Sequence, residues 1–543
     1  VHDVTEQNAN YKGAINTAKR KKTLNTINTI LGENGLTEYK KFLGLDTYRQ
    51  KVYGEAQYRN VTQLFGTTVQ EAEQQLQKVK ELELAYKYYN SGKAEFIAMY
   101  GRRRIGKTFL IRQYFKNQFS FDMTGVLEGN KNEQITAFHM ALKTYGYTGK
   151  KNTTWLDAFF ALRQLLEPKL QDGKRCVIFI DELPCLDTPK AGFVHALGHF
   201  WNSWANWQTQ IMLIVCGSAT SWMVRNIIDN HGGLHDRVTH EMPLHPFTLA
   251  ETEEYFQKNG FRWKRLSLLQ VYMAIGGVPY YMSLFSPEES PALGLDRLFF
   301  SANAELQKEY RRLFYSLFRN AQPYQDIISV LAKKSSGMTR EEISKALHID
   351  NNGRLGNMLT DLVYCDFIRK YSIREKKVKS NSALYQLVDF YTIFYNTFIA
   401  KNSSDEHYWS RNVTSSEVKT WYGLAFERVC QAHISQIKKA LGIASVKTEY
   451  YSWRSKTLAD GAQIDIIIDR ADNMINLCEV KYSEHEYQLD KEEFFKINHR
   501  IEAFEEETQT TSTILPTMIT TFGLAKGMYS DQITTKLTLD DLF

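Results

Sequence analysis

The chain has 543 residues, of which 43% are hydrophobic and 24% charged, with a formal net charge of +6 at pH 7. This length exceeds what one hydrophobic core can organise, so three or four domains are expected, and the composition excludes a disordered chain. The apolar runs fall well short of the ~20 residues that a membrane-spanning helix needs, and the first residues lack a signal-peptide core, so we expect a cytoplasmic protein with no membrane partner.

Residues 1–77 form a polar, helical-looking segment to which the sequence assigns no role. It carries the basic cluster Lys19–Lys22, which we interpret as a solvated helix face rather than a nucleic-acid contact. The six cysteines of the chain lie further on, and none belongs to a C-x-x-C pair. This pattern favours buried reduced thiols over disulfides or a zinc site.

Residues 78–240 alternate short apolar runs with helical stretches, which is the pattern of an α/β protein built on a parallel sheet. Strands are predicted at 94–100, 176–181 and 211–218, because continuous apolar runs are typical of strands buried on both faces. Residues 241–320 turn helical around the sequence GGVPYY and predict a helical lid subdomain.

The first predicted strand is followed by GRRRIGKT, which has the G-x-x-x-x-G-K-T spacing of a phosphate-binding loop. Its glycines let backbone N–H groups wrap phosphates at the N-terminus of the next helix. Lys107 is expected to reach the β- and γ-phosphates of a nucleotide, and the Thr108 hydroxyl to ligate Mg²⁺. The predicted nucleotide contacts in this stretch are Gly101, Arg104, Ile105, Gly106, Lys107, Thr108 and Phe109.

The next two strands end in polar residues that complete this predicted site. VIFIDEL ends in Asp181, expected to hold the outer shell of Mg²⁺, and Glu182, expected to polarise the attacking water; a solvated acidic turn is the alternative. In CGSATSWM, Ser218 is the predicted sensor of the γ-phosphate and Thr220 the reserve. Arg237 could supply a charge-stabilising arginine, within the chain or to a neighbouring copy, and a plain surface arginine is the alternative.

Five motifs in order resemble those of the archaeal-type P-loop ATPases, a branch close to the AAA+ and signal-transducing ATPases. They are GRRRIGKT, VIFIDE, CGSATSWM, LHPFTLAET and GGVPYY. The resemblance covers roughly residues 80–300. It implies ATP and Mg²⁺ as cofactors and is compatible with a homo-oligomer. The family usually opens with a G-R-E-type box, and this sequence has KVKELELAY at 78–86 instead.

In residues 321–390 the pattern predicts three short helices, followed by two segments of alternating apolar and polar residues around a basic tip. Thr339 and Asn352 are the predicted N-caps of two of these helices. The order resembles a winged helix, which implies a third helix in the major groove of DNA and a wing on the backbone. The wing stretch 369–381 has six basic residues against one acid, which suits phosphate contacts. A lid or a protein-docking module is the alternative. Residues 391–415 are predicted to be a linker.

Residues 416–543 predict a second α/β unit, with Glu427 on a helix, Asp465 in the strand QIDIIID, and Glu479 and Lys481 two apart in NLCEVKY. Positions i and i+2 of a strand share a face, and a hairpin around RADN would bring Asp465 beside Glu479. Carboxylates and a lysine in one place suit Mg²⁺-dependent phosphodiester hydrolysis. Glu427, Asp465 and Glu479 are the predicted metal ligands, and Asp465, Glu479 and Lys481 the predicted catalytic residues.

These elements resemble the PD-(D/E)xK nuclease fold, here as D-(x)13-E-V-K after a G-x-x-F-E helix, a domain often fused to archaeal-type ATPases. The alternative is a structural salt bridge between Lys481 and Asp465 or Glu479, since an unpaired acid in a strand of isoleucines is costly.

The sequence thus predicts an α/β chain with a P-loop NTPase core on a parallel sheet, a winged-helix domain and a restriction-endonuclease-like C-terminal domain. The predicted function is ATP-regulated DNA binding with Mg²⁺-dependent cleavage. Two rivals stay open. The C-terminal domain could have lost cleavage and serve as the docking module of an ATPase switch, or the protein could be a signalling ATPase whose C-terminal parts bind other proteins.

Overall fold

The computed structural model describes residues 87–230, 232–318, 320–372, 383–402, 405–455 and 463–543, with the backbone alone at Asp465. The expectations for residues 1–77, for KVKELELAY at 78–86 and for the basic hairpin tip after Ser372 concern residues outside these ranges. The chain divides into two compact units, the first ending at His245 and the second running from Pro246 to Phe543.

The first unit is an α/β fold built on a five-stranded parallel sheet of order β2-β3-β4-β1-β5. Its strands are β1 Glu95–Tyr100, β2 Phe121–Thr124, β3 Cys176–Asp181, β4 Ile211–Gly217 and β5 His240–Pro243. The three strands predicted from apolar runs are β1, β3 and β4, and all three are confirmed. Every residue of β3 and β4 is buried, because alternate side chains enter two separate cores.

Helices connect these strands. They are α1 Lys107–Tyr114, α2 Lys131–Thr144, α3 Trp155–Leu170, α4 Phe193–Ser203 and α5 Thr220–Met223. The helices α2 and α3 each begin at a capping box, headed by Asn130 and Thr154. Because all five strands are parallel, their carboxyl ends lie at one edge of the sheet, where the residues that follow β1, β3 and β4 meet.

The second unit begins with helices, which confirms the helical character predicted after the sheet. They are α6 Leu249–Lys258, α7 Arg265–Ile275, α8 Pro279–Met282, α9 Pro291–Leu295 and α10 Glu305–Leu317. His433, far along the chain, caps the first of them: its Nε2 accepts from the Leu249 N–H at 3.0 Å. The start of this unit is therefore tied to its C-terminal half.

Next come three helices and a small antiparallel sheet of order β6-β8-β7. The bounds are α11 Gln322–Leu331, β6 Met338–Thr339, α12 Arg340–Leu347, α13 Gly353–Tyr364, β7 Ile368–Ser372 and β8 Ala383–Leu387. The Thr339 hydroxyl accepts from the Glu342 N–H at 3.2 Å, and Asn352 Oδ1 accepts from the Arg354 N–H at 3.0 Å. Both predicted N-caps are confirmed.

The chain ends in a mixed five-stranded sheet of order β13-β12-β11-β10-β9. The elements are α14 Phe390–Phe394, α15 Ala400–Asn402, α16 Tyr408–Asn412, α17 Ser416–Ala432, α18 Ile434–Ala440, β9 Thr448–Arg454, β10 Gln463–Arg470, β11 Met474–Lys481, α19 Lys491–Thr508, β12 Thr513–Thr520 and β13 Thr535–Thr538. The strands β10 and β11 pair antiparallel, which confirms the hairpin predicted around RADN. The pairs β11–β12 and β12–β13 are parallel.

One hydrophobic cluster runs through the second unit from Phe247 to Leu542. It joins Leu268 of α7, Leu359 of α13 and Phe426 of α17, so the helical, three-helix and C-terminal parts share a core. All six cysteines of the chain carry free thiols, and five of them are buried. Across the described ranges, we find no helix with both the length and the hydropathy that crossing a bilayer requires.

Candidate nucleotide site and a C-terminal ion-pair cluster

The phosphate-binding loop leads from the end of β1 to the start of α1. Gly101 has a φ of 143°, and a Cβ built on it would lie 2.2 Å from the backbone oxygen of Leu244. Gly106 is left-handed, with a φ of 87°, at the N-cap of α1. Both positions therefore need glycine. The N-terminus of α1 adjoins this loop, and its dipole favours a negative charge there.

Lys107 is buried under the loop, with 5% of its surface exposed. Its Nζ donates to the carbonyl oxygens of Gly101 at 2.7 Å and of Arg102 at 2.8 Å. Burial lowers the pKa of this amine, while neighbouring acidic groups act in the opposite direction. The ammonium group is thus held inside the loop by two neutral acceptors that a nucleotide phosphate would replace with charged ones.

Thr108 and Asp181 meet at the carboxyl end of β3. The Thr108 hydroxyl donates to Asp181 Oδ2 at 2.8 Å, and the Glu182 N–H donates to Asp181 Oδ1 at 2.9 Å. Burial raises the pKa of the Asp181 carboxyl. A hydroxyl and a carboxylate side by side are hard oxygen donors of the kind that Mg²⁺ prefers. The residues present here therefore fit the metal that the sequence predicts.

Glu182 and Ser218 form a direct pair. The Ser218 hydroxyl donates to Glu182 Oε1 at 2.8 Å, and the Ser218 N–H donates to Glu182 Oε2 at 3.3 Å. Glu182 has a left-handed backbone with a φ of 45°, which is uncommon for a residue with a side chain. The structure therefore brings together the two groups that the sequence predicts as water activator and phosphate sensor.

The remaining predicted nucleotide contacts differ in how deeply they are buried. Ile105 is buried, Arg104 and Phe109 are half-buried, and Arg104 is left-handed with a φ of 73°. Thr220 is buried at the start of α5. Arg237 is exposed in the turn before β5, and its role stays a prediction.

Cys216 is a residue at this site that the motif analysis missed. It is fully buried on β4, next to the charged groups Asp181 and Lys107, and burial raises the pKa of its thiol. A sequence signal existed, because Cys216 and Ser218 are two apart at the end of a strand and therefore share a face.

The C-terminal hairpin holds a second group of predicted site residues. Ile466 lies opposite Cys478, so Asp465 and Glu479 occupy the next position along the two strands, and a bulge against β9 falls between Ile464 and Ile467. This register agrees with the predicted neighbourhood of Asp465 and Glu479 at the level of the backbone.

Four charged side chains form a cluster between β11 and α19, which we call the β11–α19 ion-pair cluster: Glu479, Lys481, Glu493 and Arg500. Lys481 Nζ lies 2.9 Å from Glu479 Oε1 and 2.7 Å from Glu493 Oε1. Arg500 Nη1 lies 2.7 Å from Glu479 Oε2. Burial lowers the pKa of Lys481, but the two carboxylates outweigh this and raise it.

This cluster does not fit a metal ion as it stands. Both oxygens of Glu479 are engaged by cations. Within the described residues, no three His, Cys, Asp or Glu side chains are grouped so that they could hold a metal. Glu427 is half-buried on α17, close to Cys430. As placed, the four residues of the cluster form a set of ion pairs rather than a metal centre.

A phosphate-binding loop after β1 and paired acids after β3, on a parallel sheet of this order, define the class of P-loop nucleoside triphosphatases. Residues 76–285 match the family model described as an ATPase domain predominantly from Archaea. This part of the chain is thus an ATPase domain of the archaeal type.

Individual proteins resemble the chain more weakly. An uncharacterized protein of Methanocaldococcus jannaschii is 24% identical over 409 residues, which are 75% of this chain and 87% of that protein. The Walker-type ATPase of Pyrococcus abyssi shares 15% identity over 59% of this chain and 95% of its own, with a TM-score of 0.40. The Aeropyrum pernix ORC2 protein, solved in ADPNP–ADP complexes, shares 12% over 62% and 94%, with a TM-score of 0.38.

Proposed function

We propose that the chain is an ATP-hydrolysing protein that binds duplex DNA through its second unit. The observation that carries the ATPase part is the paired hydrogen bonding at the sheet edge, Thr108 with Asp181 and Glu182 with Ser218. Four side chains, from α1, from the end of β3 and the residue after it, and from the segment after β4, converge there, where a nucleotide bound at the loop would place its γ-phosphate.

In this proposal each side chain has a defined task. Lys107 exchanges its two loop carbonyls for phosphate oxygens, and Thr108 with Asp181 would hold Mg²⁺. When bound, that ion neutralises charge on the phosphates. Glu182 accepts a proton from the attacking water, and Ser218 orients the Glu182 carboxylate until nucleotide is in place. Assembly into a homo-oligomer, with the exposed Arg237 reaching a neighbouring copy, extends the proposal.

The DNA-binding part rests on residues 322–387, which we propose to be a winged helix. Helix α13 presents Arg354, Asn357 and Thr360 to solvent, and its acid Asp361 is buried and accepts from the Tyr324 hydroxyl at 2.8 Å. The exposed face of α13 is therefore polar and carries no acid. Such a face suits the major groove, where Arg and Asn read guanine and adenine edges. The basic composition of the wing adds phosphate contacts.

DNA cleavage is a second candidate function, favoured by the register that sets Asp465 next to Glu479 on β10 and β11. We propose a nuclease-like fold for residues 416–543 on this basis. The β11–α19 ion-pair cluster supports the rival in which this fold is a docking module of an ATPase switch. The two candidates differ in whether Glu479 can exchange its cationic partners for a metal.

ATP hydrolysis by the full chain tests the first part of the proposal. We expect Lys107→Ala to lower the hydrolysis rate by about 100-fold or more, because a positioned phosphate-binding cation is lost. Lys143→Ala, which changes an exposed lysine of α2, should hydrolyse ATP at the wild-type rate. Equal rates for wild type and Lys107→Ala would refute the proposed site. DNA affinity that is absent or independent of salt would favour the signalling rival.

A further inference from the structure

A short loop joins the end of β2 to the start of α2 and lies against the proposed water activator. In this loop, residues 125–130, Gly125 is buried and its N–H donates to the Asp181 carbonyl oxygen at 2.9 Å. A Cβ built on Gly125 would lie 2.6 Å from the Glu182 carbonyl oxygen and 2.9 Å from Cys185 Cβ. The 125–130 loop therefore packs directly against the backbone of both acids of the nucleotide site.

Glu182 needs support from its surroundings because its backbone is strained. Its φ of 45° and ψ of 47° are left-handed, a conformation that a residue with a side chain keeps only when the surrounding structure holds it. Its carbonyl oxygen accepts from the Cys185 N–H at 3.0 Å, and its carboxylate accepts from the Ser218 hydroxyl at 2.8 Å. The close approach of Gly125 adds a steric limit on the same carbonyl group. A shift of the loop would therefore release this backbone and move the carboxylate.

One buried side chain, Gln134 of α2, holds the 125–130 loop in this position. Its Nε2 donates to the carbonyl oxygens of Val126 at 2.6 Å and of Gly129 at 3.3 Å, and its Oε1 accepts from the Val126 N–H at 3.0 Å. Gln134 is fully buried. Because an amide donates and accepts at once, this side chain pairs with both backbone groups of Val126, as a neighbouring strand would.

Hydrophobic burial contributes little to holding this loop. The side chains of Val126 and Leu127 are 40% and 60% exposed, and Glu128, left-handed with a φ of 58°, is exposed as well. The far end of the loop is fixed by Asn130, which caps α2. Between the two ends, the three hydrogen bonds of Gln134 determine where the loop lies, because breaking them would leave buried polar groups without partners.

We propose that Gln134 is a positioning residue for ATP hydrolysis, which acts through the 125–130 loop to hold Glu182 in its strained conformation. The inference rests on the proposed function, in which Glu182 accepts a proton from the attacking water. The hydrogen bonds described for Gln134 all go to the loop backbone. Its loss should therefore slow the chemical step while nucleotide binding stays intact.

ATP hydrolysis by the full chain, with kcat and KM measured separately, tests this inference. Gln134→Met keeps the size of the side chain and removes its three hydrogen bonds, and we expect kcat to fall about tenfold or more with KM close to wild type. In a Glu182→Gln chain, the same substitution should leave the residual rate unchanged, because a residue that acts through Glu182 has nothing further to lose. A similar fold loss in both backgrounds, or a raised KM at wild-type kcat, would overturn the inference.

The matched control is Asn152→Leu, which also removes a buried amide from the first unit. Asn152 Oδ1 pairs with His139 Nδ1 at 2.9 Å, and Asn152 Nδ2 donates to the Asp157 carbonyl oxygen at 3.1 Å. This substitution should lower the thermal stability of the chain but leave kcat at the wild-type value. An equal loss of kcat in Asn152→Leu and Gln134→Met would mean that general stability is responsible, and the inference would be wrong.

A second variant covers the case in which Gln134→Met does not fold, which thermal unfolding shows. Gly125→Ala leaves Gln134 in place and adds a carbon that the Glu182 carbonyl cannot accommodate. We expect the same loss of kcat, and the same absence of effect in the Glu182→Gln chain. Wild-type kcat in Gly125→Ala would contradict the proposed path from the loop to the water activator.

Amide hydrogen exchange in residues 177–186 gives a measurement that needs no hydrolysis. We expect faster exchange in Gln134→Met than in wild type or Asn152→Leu, since the backbone at Glu182 loses its support. Unchanged exchange, or unchanged kcat in folded Gln134→Met, would overturn the inference and leave ATP hydrolysis by the chain intact. If wild type hydrolyses no ATP, the proposed function fails, and exchange still decides whether Gln134 holds this backbone.

Discussion

At Gly101, backbone conformation and packing both exclude a side chain. Its φ is 143°, and a Cβ would lie 2.2 Å from the Leu244 oxygen, a distance that requires the loop or the segment after β5 to shift. We expect Gly101→Ala to displace the phosphate-binding loop and abolish nucleotide binding, measured by titration with a fluorescent ATP analogue. The matched control is Gly173→Ala, where φ is 67° but no atom lies within 4 Å of the added carbon.

The control should show backbone strain alone, about 1–2 kcal/mol of lost stability, with nucleotide affinity unchanged. Thermal unfolding measures this loss for both variants. Wild-type nucleotide affinity in Gly101→Ala would show that the contact with Leu244 does not shape the loop.

At this scale, the sequence could predict Gly101, Gly106, Lys107 and Thr108 because their chemistry depends on spacing within one short loop. The sequence could not predict two other contacts, because they depend on which strands are neighbours. These are the pairing of Glu182 with Ser218 and the position of the Cys216 thiol beside Asp181. Arg500 was missed for the same reason. It lies 21 residues after Glu479, with nothing in the local pattern to connect the two.

The hairpin after α13 is the element whose charge should control DNA affinity. Its sequence includes Lys376, Lys377 and Lys379, next to Lys370, which is exposed at β7. We expect the triple change of these three lysines to Gln to weaken binding to duplexes of any sequence. It should also reduce the slope of log affinity against log salt by about 3, since each phosphate contact contributes roughly 0.9. Fluorescence anisotropy over a range of salt concentrations measures both quantities.

Three exposed lysines of the first unit, Lys143, Lys150 and Lys151, provide a control with the same change in net charge. Their substitution by Gln should leave the salt slope unchanged. If both triple variants lose the same slope, the wing makes no specific contribution and net charge alone attracts DNA.

Elements with a strong local signal were predictable, and those defined by partners were not. The buried strands β1, β3 and β4 stand out as apolar runs, and Thr339 and Asn352 as caps, because each depends on a few adjacent residues. The bulge between β9 and β10 arises where Ile464 and Ile467 meet Trp453 and Tyr451 across the strands, so no local pattern reveals it.

Across the whole second unit, the helical, three-helix and C-terminal segments differ in their pattern of apolar and polar residues. They nevertheless share one hydrophobic cluster. An apolar helix face looks the same in sequence whether it covers its own sheet or a neighbouring segment. Trp421 and Phe426 of α17 are such residues, since they join the cluster that also contains Leu268 of α7. The sequence could therefore predict individual helices, caps and strands of these segments but not the packing that unites them.

Residues 539–543 join this shared core. Their removal should therefore lower the stability of the helices at the start of the second unit. Leu539 and Leu542 are buried in the cluster, Asp540 Oδ1 accepts from Arg265 Nη1 at 2.9 Å, and the Phe543 ring lies 4.3 Å from the Arg265 guanidinium carbon. Deleting residues 539–543 removes two buried leucines, each contributing about 1.5–3 kcal/mol. We expect faster amide hydrogen exchange in α7, which begins at Arg265, although the deletion lies far along the chain.

Arg265→Gln separates the ionic from the apolar part of this contact. The Arg265 side chain is 37% exposed, so its ion pair with Asp540 contributes roughly 0–1 kcal/mol, and its pair with Glu253 stays within the helical region. The substitution should therefore change exchange in α7 much less than the deletion does. Unchanged protection of α7 after the deletion would mean that the C-terminal sheet and the helices at the start of the unit unfold independently. Matched loss in both variants would place the coupling in the arginine rather than in the shared core.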